Sequence, residues 1–346
     1  MIPAGRDSVP PPGPLAAYKL RLRRRRLLAR SLLAGRRLRA VVDRTDAIGP
    51  GAILAFACIR DEALRLPRWL DHHRGLGVDH FLIVDNDGSD GGAGWLARQP
   101  DVSLWTTAAS YKAARFGMDW LGALMLRHGH GHWCLTVDAD ELFVYAHHDV
   151  RPLGALTGWL EDHGARAMGA LMLDLYPEGR LSETRHAPGD DPAATLPWFD
   201  AGNYVALRQP RLGNLWVQGG PRARAFFASE PRRAPTLSKV PLVRWDRRFV
   251  YVSSTHSLLP RGLNMALDPD PAVPRGVLLH SKFLPNIADK SVEEKTRRQH
   301  FENSDLYQGY YDALIGDPVL WTPRSSRLDG WAGLETLGLL SRGGWD

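Results

Sequence analysis

HFLIVDNDGSDGG, residues 80–92, joins an apolar run to an acidic, glycine-rich turn. A continuous run of hydrophobic residues is typical of a strand that is buried on both faces of a parallel sheet. Two more apolar runs end in acid in the same way: ILAFAC (53–58) is followed shortly by IRDE, and WCLTV (133–137) precedes DADE. Three apolar runs that are each followed by acidic residues predict three neighbouring parallel strands.

Segments with helical spacing separate these runs. In residues 66–77 the apolar side chains recur every three or four positions, and Pro67 suits a first helical turn. Residues 111–127 show the same spacing, and further apolar runs lie at 101–107 and 165–176. Strand and helix in alternation predict an α/β fold with a mostly parallel, twisted, Rossmann-like sheet that is flanked by helices.

The second half of the chain breaks this rhythm. Residues 177–250 are rich in Pro, Gly and Arg and contain only short aromatic segments. We expect an irregular region with some antiparallel strands, followed by a helix near 291–301 and further short helices. Residues 45–346 then form one domain with an N-terminal half, 45–176, and a C-terminal half, 177–346.

Composition and charge exclude several classes of protein. Hydrophobic content of 44% and charged content of 24% in 346 residues are typical of a globular protein with a large core. There is no run of about 18 apolar residues and no apolar secretory signal. Cys58 and Cys134 lie in apolar runs without CxxC spacing, which indicates reduced core residues and a cytoplasmic location.

The basic charge is concentrated at the N-terminus. Residues 1–44 hold 12 Lys and Arg against two Asp, so with a total of +6 the other 302 residues carry −4. No nucleic-acid partner is expected, because residues 45–346 are slightly acidic. Residues 1–14 are Pro-rich and predicted to be disordered.

Residues 15–44 form a basic helical segment in this interpretation. Leucines alternate with arginines over 15–42, which predicts an amphipathic helix, or two helices broken near Gly35. Such a helix could lie on an anionic membrane, at the inner face of the cell membrane. It could equally pack on the domain with its arginines in solvent, and both interpretations stay open.

The acidic strand ends predict a ligand site. In open α/β sheets, ligands bind beyond the carboxyl ends of the strands, so acid at three neighbouring ends should converge on one crevice. A divalent metal with a diphosphate would offset the repulsion, because hard cations bind carboxylate and phosphate oxygens. Asp138 and Asp140 are two residues apart and on a strand would point to the same side.

These residues resemble a known family. FACIRDEALRLPRWLDHHRGLGVDHFLIVDNDGSDGG (56–92) and HWCLTVDADELFVY (132–145) are similar to the family 2 glycosyltransferases, and to a bacterial subgroup with RNE, DNxSxDG and VDxDE motifs. The similarity spans about residues 45–345 and includes SKVPLVRW and LLHSKFL. It implies the GT-A fold, a nucleotide-sugar donor, a divalent cation such as Mn²⁺ or Mg²⁺, and inverting transfer.

The resemblance also implies roles for single residues, with the donor bound by 45–176 and the acceptor by 177–346. Asp138 would meet the ribose or diphosphate and also the metal, and Asp140 the metal. The family usually has Asn at Asp61 and a small residue at Asp87, where this chain is acidic. The base and ribose pocket would be lined by Arg60, Asp61, Glu62, Asp85 and Asn86.

Four further groups of residues are candidates for the rest of the site. An inverting transfer needs a base near the acceptor hydroxyl, and Asp200 and Asp174 are the candidates, while Glu141 would shape the site. His280 is a candidate metal ligand, more so than His256, with Lys282 beside it to neutralise the leaving diphosphate. The remaining candidates are basic and aromatic residues, which fit an anionic ligand and an acceptor cleft but also a solvated face and a core: Arg222, Arg224, Arg232, Arg233, Lys239, Trp198, Phe199, Tyr204 and Trp216.

The predicted function is glycosyl transfer from a nucleotide-diphospho-sugar to a glycan, glycolipid or other hydroxyl acceptor. A catalytically inactive carbohydrate-binding or scaffold protein with the same fold is the alternative, since Asp61 and Asp87 add charge at the donor pocket. A nucleotidyltransferase is a third interpretation. It would need a Gly-rich triphosphate loop after the first strand, and IRDEALRLP has no glycine.

Overall fold

The structure is a computed structural model, and it describes residues 10–268, 272–297 and 307–346. Most of the N-terminal segment that the sequence predicts to be disordered, residues 1–9, lies outside the described residues. So does the end of the helix expected near 291–301. Among the described helices, none combines the length and the apolar character needed to cross a bilayer.

The domain is built on a nine-stranded sheet, which confirms the predicted α/β class. Its strands are β1 (Arg39–Val42), β2 (Ile53–Ile59), β3 (His80–Asp85), β4 (Val102–Thr106), β5 (Trp133–Thr136), β6 (Glu141–Val144), β7 (Ala167–Asp174), β11 (Ser238–Arg244) and β14 (Gly276–His280), in the spatial order β1-β4-β3-β2-β5-β11-β7-β14-β6. Six of them, β2 to β5, β7 and β14, run in one direction, and β1, β6 and β11 run against it.

Three small antiparallel pairs lie outside this sheet. They join β8 (Trp198–Phe199) to β15 (Ser326–Arg327), β9 (Val205–Arg208) to β10 (Leu215–Gln218), and β12 (Val250–Tyr251) to β13 (Leu258–Leu259). The irregular region expected over 177–250 therefore has the predicted antiparallel pieces.

Helices cover both faces of the sheet. They are α1 (Pro14–Ala34), α2 (Leu66–Leu76), α3 (Gly92–Leu96), α4 (Met118–Leu124), α5 (Leu153–Asp162), α6 (Pro192–Thr195), α7 (Gly220–Phe226), α8 (Ile287–Arg297), α9 (Gln308–Ile315) and α10 (Gly330–Thr336). Alternate residues of β2 enter opposite cores: Ala55 and Ala57 pack with α2 and α5, and Leu54 and Phe56 pack with α4. Both faces are apolar because both are covered, as the uninterrupted hydrophobic run predicts.

The predicted strand over 132–145 is in fact two strands. β5 ends at Thr136, the acidic DAD segment forms a turn, and β6 begins at Glu141 on the far edge of the sheet beside β14. Asp138 and Asp140 are therefore on a turn and not on a strand, so the two-residue alternation expected for them does not apply. The turn brings both carboxylates over the middle of the sheet.

A central strand was not predicted as such. β11 lies between β5 and β7 and contains Pro241, which lacks the N–H that a central strand normally donates. The register against β7 shifts between Lys239 and Leu242, and this irregularity accommodates the proline. β11 matters for function because it places Lys239 just beyond the end of β5 and opposite Ala170 of β7.

The basic segment is helical only in part. α1 ends at Ala34, residues 35–37 form one tight turn, and residues 39–42 form the edge strand β1 against β4. The helical interpretation of 15–44 therefore holds up to Arg37, with the break at Gly35 that the sequence indicates. An added Cβ at Gly35 would lie 2.9 Å from the Ala123 Cβ, so the close approach to α4 requires glycine there.

Candidate functional site

A cavity with a volume of about 580 Å³ lies at the carboxyl ends of the parallel strands. Its lining includes residues that follow β2, β3, β5 and β14 directly, together with α8 and the turn before β11. This is the edge of an open α/β sheet at which ligands bind. The convergence expected from the acidic strand ends is therefore present in the geometry.

A cluster of carboxylates lies on one wall of this cavity. Asp138, Asp140 and Glu141 each offer an oxygen, and these atoms lie within 4.8 Å of one another. Asp138 is the accessible member, with 48% of its side chain exposed, while Glu141 is fully buried. Asp138 and Asp140 come from the turn between β5 and β6, and Glu141 is the first residue of β6.

A buried chain of ionic hydrogen bonds supports His280 behind this cluster. The ring Nδ1 donates to the Asp174 Oδ1 at 2.5 Å, and Nε2 lies 3.0 Å from the Asp140 Oδ2. Arg222 Nε donates to the other oxygen of Asp174 at 2.7 Å. β14 and β7 pair in parallel with His280 opposite Asp174, so the sheet register fixes this contact.

The charges of this chain stabilise one another. Burial alone would lower the pKa of His280, but Asp140 and Asp174 raise it above its ordinary value. Burial opposes ionisation of Asp140, yet the imidazole of His280 holds its pKa well below the usual range. Arg222 and His280 likewise lower the pKa of Asp174 to about 2 in spite of its burial.

Lys239 supplies a cation inside the acidic cluster. Its Nζ donates to the Asp138 Oδ2 at 2.7 Å and to Glu141, and the side chain is almost fully buried. Burial would lower the pKa of this ammonium, but Asp138 and Glu141 raise it. Burial raises the pKa of Glu141 to about 7, and Lys239 limits that rise. Part of the repulsion that the sequence predicts is thus offset by the chain itself.

The cluster fits a divalent cation. Asp138 and Asp140 offer the hard oxygen ligands that Mg²⁺ and Mn²⁺ prefer, and His280 adds an imidazole nitrogen. A carboxylate behind a metal-binding histidine is a common arrangement, because it fixes the ring orientation, and Asp174 occupies that place. Lys239 contacts Asp138 through Oδ2 and leaves Asp140 to His280.

The lining as a whole is rich in cations. Nine Lys and Arg face six Asp and Glu among the described residues of the lining, a balance that favours an anionic ligand. Burial lowers the pKa of Lys282, which lies close to Asp140 and Arg222. The basic members are Arg60, Arg65, Arg222, Arg232, Arg233, Lys239, Lys282, Lys290 and Arg297.

Three of the predicted base and ribose residues line the cavity: Arg60, Glu62 and Asn86. Arg60 Nη1 donates to the backbone carbonyl oxygens of Asn86 and Asp87 at 2.9 and 2.7 Å. The amide of Asn86 donates to the carbonyl oxygens of Thr107 and Ala109. These contacts join the ends of β2, β3 and β4 into one rim.

Two other predicted donor residues, Asp61 and Asp85, hold the neighbouring turn, and their contact with the donor stays a prediction. The Asp61 Oδ1 accepts the backbone N–H groups of Ser89 and Asp90, at 2.6 and 3.2 Å, and the Asp85 Oδ2 accepts that of Gly88 at 3.1 Å. Neither carboxylate is among the described residues of the cavity lining. The carboxylate of Asp61 therefore fixes the DNDGSDGG turn.

Neither candidate base lines the cavity among the described residues. Asp174 has both oxygens engaged by His280 and Arg222. Asp200 accepts from the Tyr176 hydroxyl at 2.5 Å and from Arg224 at 2.9 and 3.0 Å. That either residue acts as the base for the acceptor hydroxyl stays a prediction.

The aromatic candidates separate into two groups. Trp216 lines the cavity beside His256, whose ring centroid is 6.4 Å away. The Nδ1 of His256 donates to the Ser238 carbonyl oxygen at 2.7 Å, and burial lowers the pKa of this histidine to about 4, so its imidazole is neutral near pH 7. Phe199 and Tyr204 are buried in the core, and Trp198 packs against Trp321.

Sequence reasoning missed the wall formed by α8. Lys290 pairs with Glu62, and Glu293 lies 3.4 Å from the Arg60 Nε, so α8 is joined to the donor rim. Arg65 was also missed, although it is buried and donates to Glu62 at 2.8 Å and to the Ser281 carbonyl. The only signal in the sequence is the alternation of charge in ADKSVEEKTR, which is equally typical of a solvated helix.

No protein-family model matches the sequence, and no curated protein is significantly similar to it. A search of solved structures finds weak matches, and one of them is named as a glucose-1-phosphate thymidylyltransferase from Bacillus anthracis in complex with sucrose. It has 11% identity and a TM-score of 0.29, over 83% of this chain and 94% of that one. A 4-diphosphocytidyl-2C-methyl-D-erythritol synthase has 12% identity and a TM-score of 0.25, over 83% and 97%. Similarities this low support no inference about this chain.

Proposed function

We propose that the chain is a glycosyltransferase that moves a sugar from a nucleotide-diphospho-sugar to a hydroxyl acceptor, with inversion and with a divalent cation. One observation supports this most: a cation-rich cavity at the carboxyl ends of parallel strands contains an acidic cluster backed by the Asp174–His280 pair. A nucleoside diphosphate presents polar base and ribose edges together with a charged diphosphate. The cavity offers groups for both.

The donor would lie across two parts of the lining. Arg60, Glu62 and Asn86 are proposed to contact the base and ribose, because their polar groups surround the ends of β2 and β3. Asp61 and Asp85 would act on this pocket through the turn that they hold. Lys282 and the buried Arg222 are proposed to face the diphosphate.

Asp138, Asp140 and His280 are proposed to hold the cation. A divalent ion bound there supplies a positive charge that stabilises the developing negative charge of the leaving diphosphate. Asp174 is proposed to be a positioning residue, since it keeps the ring of His280 turned toward Asp140. Either Asp174 or Asp200 remains the predicted base for the acceptor proton.

The acceptor is proposed to enter beside Trp216, Arg232 and Arg233. These residues lie on the wall formed by β10 and the turn before β11, on the acceptor half of the chain. An aromatic ring next to arginines suits a sugar face that carries or adjoins an anionic group. A glycan or glycolipid fits this description.

The test begins with a thermal-shift panel of UDP-, GDP-, dTDP- and CMP-linked sugars, each with and without Mn²⁺. A donor that binds the native state should raise the melting temperature, and more so with the cation. Release of nucleoside diphosphate from the same donor then measures turnover. Asp140→Asn should abolish the release, whereas Asp71→Asn, at an exposed carboxylate of α2, should leave it unchanged.

Three outcomes would contradict the proposal. Binding of glycans without turnover of any donor would favour the carbohydrate-binding interpretation. Release of pyrophosphate from a nucleoside triphosphate and a sugar phosphate would favour a nucleotidyltransferase. Turnover that Asp140→Asn leaves intact would remove the acidic cluster from the mechanism.

A further inference from the structure

α1 has two apolar faces, and only one of them packs on the domain. Leu20 and Leu27 are buried against Val250, Val252 and Leu259. Five other large apolar residues of the helix are exposed by 44 to 66% of their area: Leu15, Tyr18, Leu22, Leu32 and Leu33. At about 3.6 residues per turn, Leu15, Tyr18, Leu22 and Leu33 lie within about 60° of one another on the side away from Leu20 and Leu27.

The buried face fixes the helix to the domain. Arg30 donates to the Asp119 Oδ2 at 2.9 Å, and Asp119 is itself buried in α4. Ser31 is fully buried, and an added Cβ at Gly122 would lie 2.5 Å from its hydroxyl oxygen, so the two helices are in close contact. The outward face is therefore a fixed surface of the protein, which we call the α1 outer face.

The charge around this face has one sign. Residues 8–42 hold ten Lys and Arg and no Asp or Glu. Lys19 and Arg26 flank the apolar stripe on one side, and Arg21 and Arg25 flank it on the other, all four exposed. In the described part of the chain, no carboxylate lies within ion-pair distance of Arg21, Arg25 or Arg26. Their guanidinium groups are therefore exposed to solvent without an acidic partner there.

We propose that the α1 outer face binds a bilayer surface that contains anionic phospholipid. Leucine and tyrosine side chains of an amphipathic helix enter the boundary between headgroups and acyl chains, while flanking arginines contact the lipid phosphates. Each basic residue near such a surface contributes about 1 kcal/mol, which corresponds to about a fivefold change in affinity. Both elements of this chemistry are present on one fixed face.

The apolar stripe on the α1 outer face favours a bilayer over a nucleic acid as the binding partner. Phosphate backbones bind arrays of Lys and Arg, with aromatic rings where bases stack. A complex with a nucleic acid would offer no apolar partner to the exposed leucines between the arginines, which are Leu15, Leu22, Leu32 and Leu33. Bilayer headgroups and acyl chains accommodate both kinds of side chain.

The buried side of α1, opposite the α1 outer face, packs close to the cavity. β12 packs against α1, and the turn after it places Ser253, Ser254 and His256 in the cavity lining. Leu212, at the tip of the β9–β10 hairpin, packs against the same apolar cluster as Leu20 and Leu27. Binding through α1 would therefore hold the acceptor side of the cavity near the lipid surface.

The test uses the full-length protein in co-sedimentation with vesicles. Vesicles of phosphatidylcholine with phosphatidylglycerol should bind the protein, vesicles of phosphatidylcholine alone should bind it much less, and added salt should weaken the binding. The variant with Arg21→Gln, Arg25→Gln and Arg26→Gln should lose about a hundredfold in affinity. Arg185, Arg324 and Arg327 are exposed and lie elsewhere, so the matched triple substitution to Gln should bind as the wild type does.

A second variant tests the apolar part of the face. Leu15→Ser with Leu22→Ser removes two exposed leucines without a change of charge, and affinity should fall about tenfold. Circular dichroism and the melting temperature check that each variant remains folded. Binding of a nucleotide sugar in the absence of vesicles should be the same in all of them, so this proposal and the proposed enzymatic function can fail separately.

Several results would overturn the proposal. Equal binding to neutral and anionic vesicles would remove the electrostatic basis. Equal losses in the α1 triple variant and its matched control would mean that net charge alone is responsible. Tighter binding to a duplex oligonucleotide than to anionic vesicles, at the same salt, would assign the face to nucleic acid.

Discussion

The protein has two strongly basic regions, and they differ in how their charge is held. In the cavity, Lys239, Arg222 and Arg65 are buried, and each is hydrogen-bonded to a carboxylate. On the α1 outer face, Arg21, Arg25 and Arg26 are exposed, with no such partner among the described residues. Buried, paired cations have fixed positions and can orient a ligand, whereas exposed ones create a field that attracts any polyanion and weakens with salt.

The largest expected effect concerns the buried cation in the acidic cluster. Lys239→Met leaves the carboxylate of Glu141 buried without its ammonium, and we expect a loss of about 3 kcal/mol in the free energy of unfolding. Urea denaturation measures it. Lys295 pairs with Asp312 at the surface, so Lys295→Met is the matched control and should cost less than about 1 kcal/mol. Equal losses would mean that burial does not distinguish the two pairs.

The second prediction separates positioning from acid–base chemistry in the cavity. Asp174→Asn removes the carboxylate behind His280, and the affinity for Mn²⁺ should fall by about 10- to 100-fold in a calorimetric titration. Asp200→Asn should leave Mn²⁺ binding unchanged, because Asp200 contacts Tyr176 and Arg224 and no member of the cluster. If Asp200 is the base, that variant loses turnover alone. An unchanged Mn²⁺ affinity in Asp174→Asn would contradict the role given to His280.

The third prediction concerns Arg30, which joins α1 to α4 through Asp119. Arg30→Gln removes an ion pair with the buried Asp119, although Arg115 still contacts that carboxylate. We expect a loss of about 1 kcal/mol in the free energy of unfolding, since the pair is only half buried. Faster hydrogen exchange in α1, with no change in α5, would locate the effect. A stability equal to the wild type would indicate that the apolar contacts alone hold the helix.

The smallest effect is expected on the α1 outer face. Arg25→Gln should change the free energy of unfolding by no more than about 0.5 kcal/mol, because its side chain has no partner in the described structure. The same substitution should still reduce vesicle binding about fivefold. A large loss of stability would show that this arginine makes a contact within the protein.

The N-terminal half was largely predictable from its residues. The apolar runs at 53–58 and 80–84 became β2 and β3 because strands buried on both faces need uninterrupted hydrophobic sequence. The acidic residues after these strands were correctly expected at the carboxyl edge of the sheet, because parallel strands end at the same edge. Their individual roles were not predictable, because Asp61 and Asp85 bind backbone N–H groups that are close in space only after folding.

The cations of the site were harder to predict. Lys239 enters on β11, whose Pro241 argues against a central strand and is tolerated through a register shift. Lys290 and Glu293 reach the cavity only because α8 covers it, and their local sequence resembles that of any exposed helix. Contacts between residues about 100 to 230 positions apart in sequence leave no local pattern.

The proposed function requires one cavity to bind a nucleotide-sugar donor and a divalent cation together. Crystals grown with Mn²⁺ and the donor selected by the thermal-shift panel would test it through the anomalous signal of manganese. We expect a single peak between Asp138, Asp140 and His280, with the diphosphate between that peak and Lys282 and the base near Arg60. A nucleotide bound elsewhere, or a diphosphate bound in the cavity with no manganese peak at the cluster, would contradict the account.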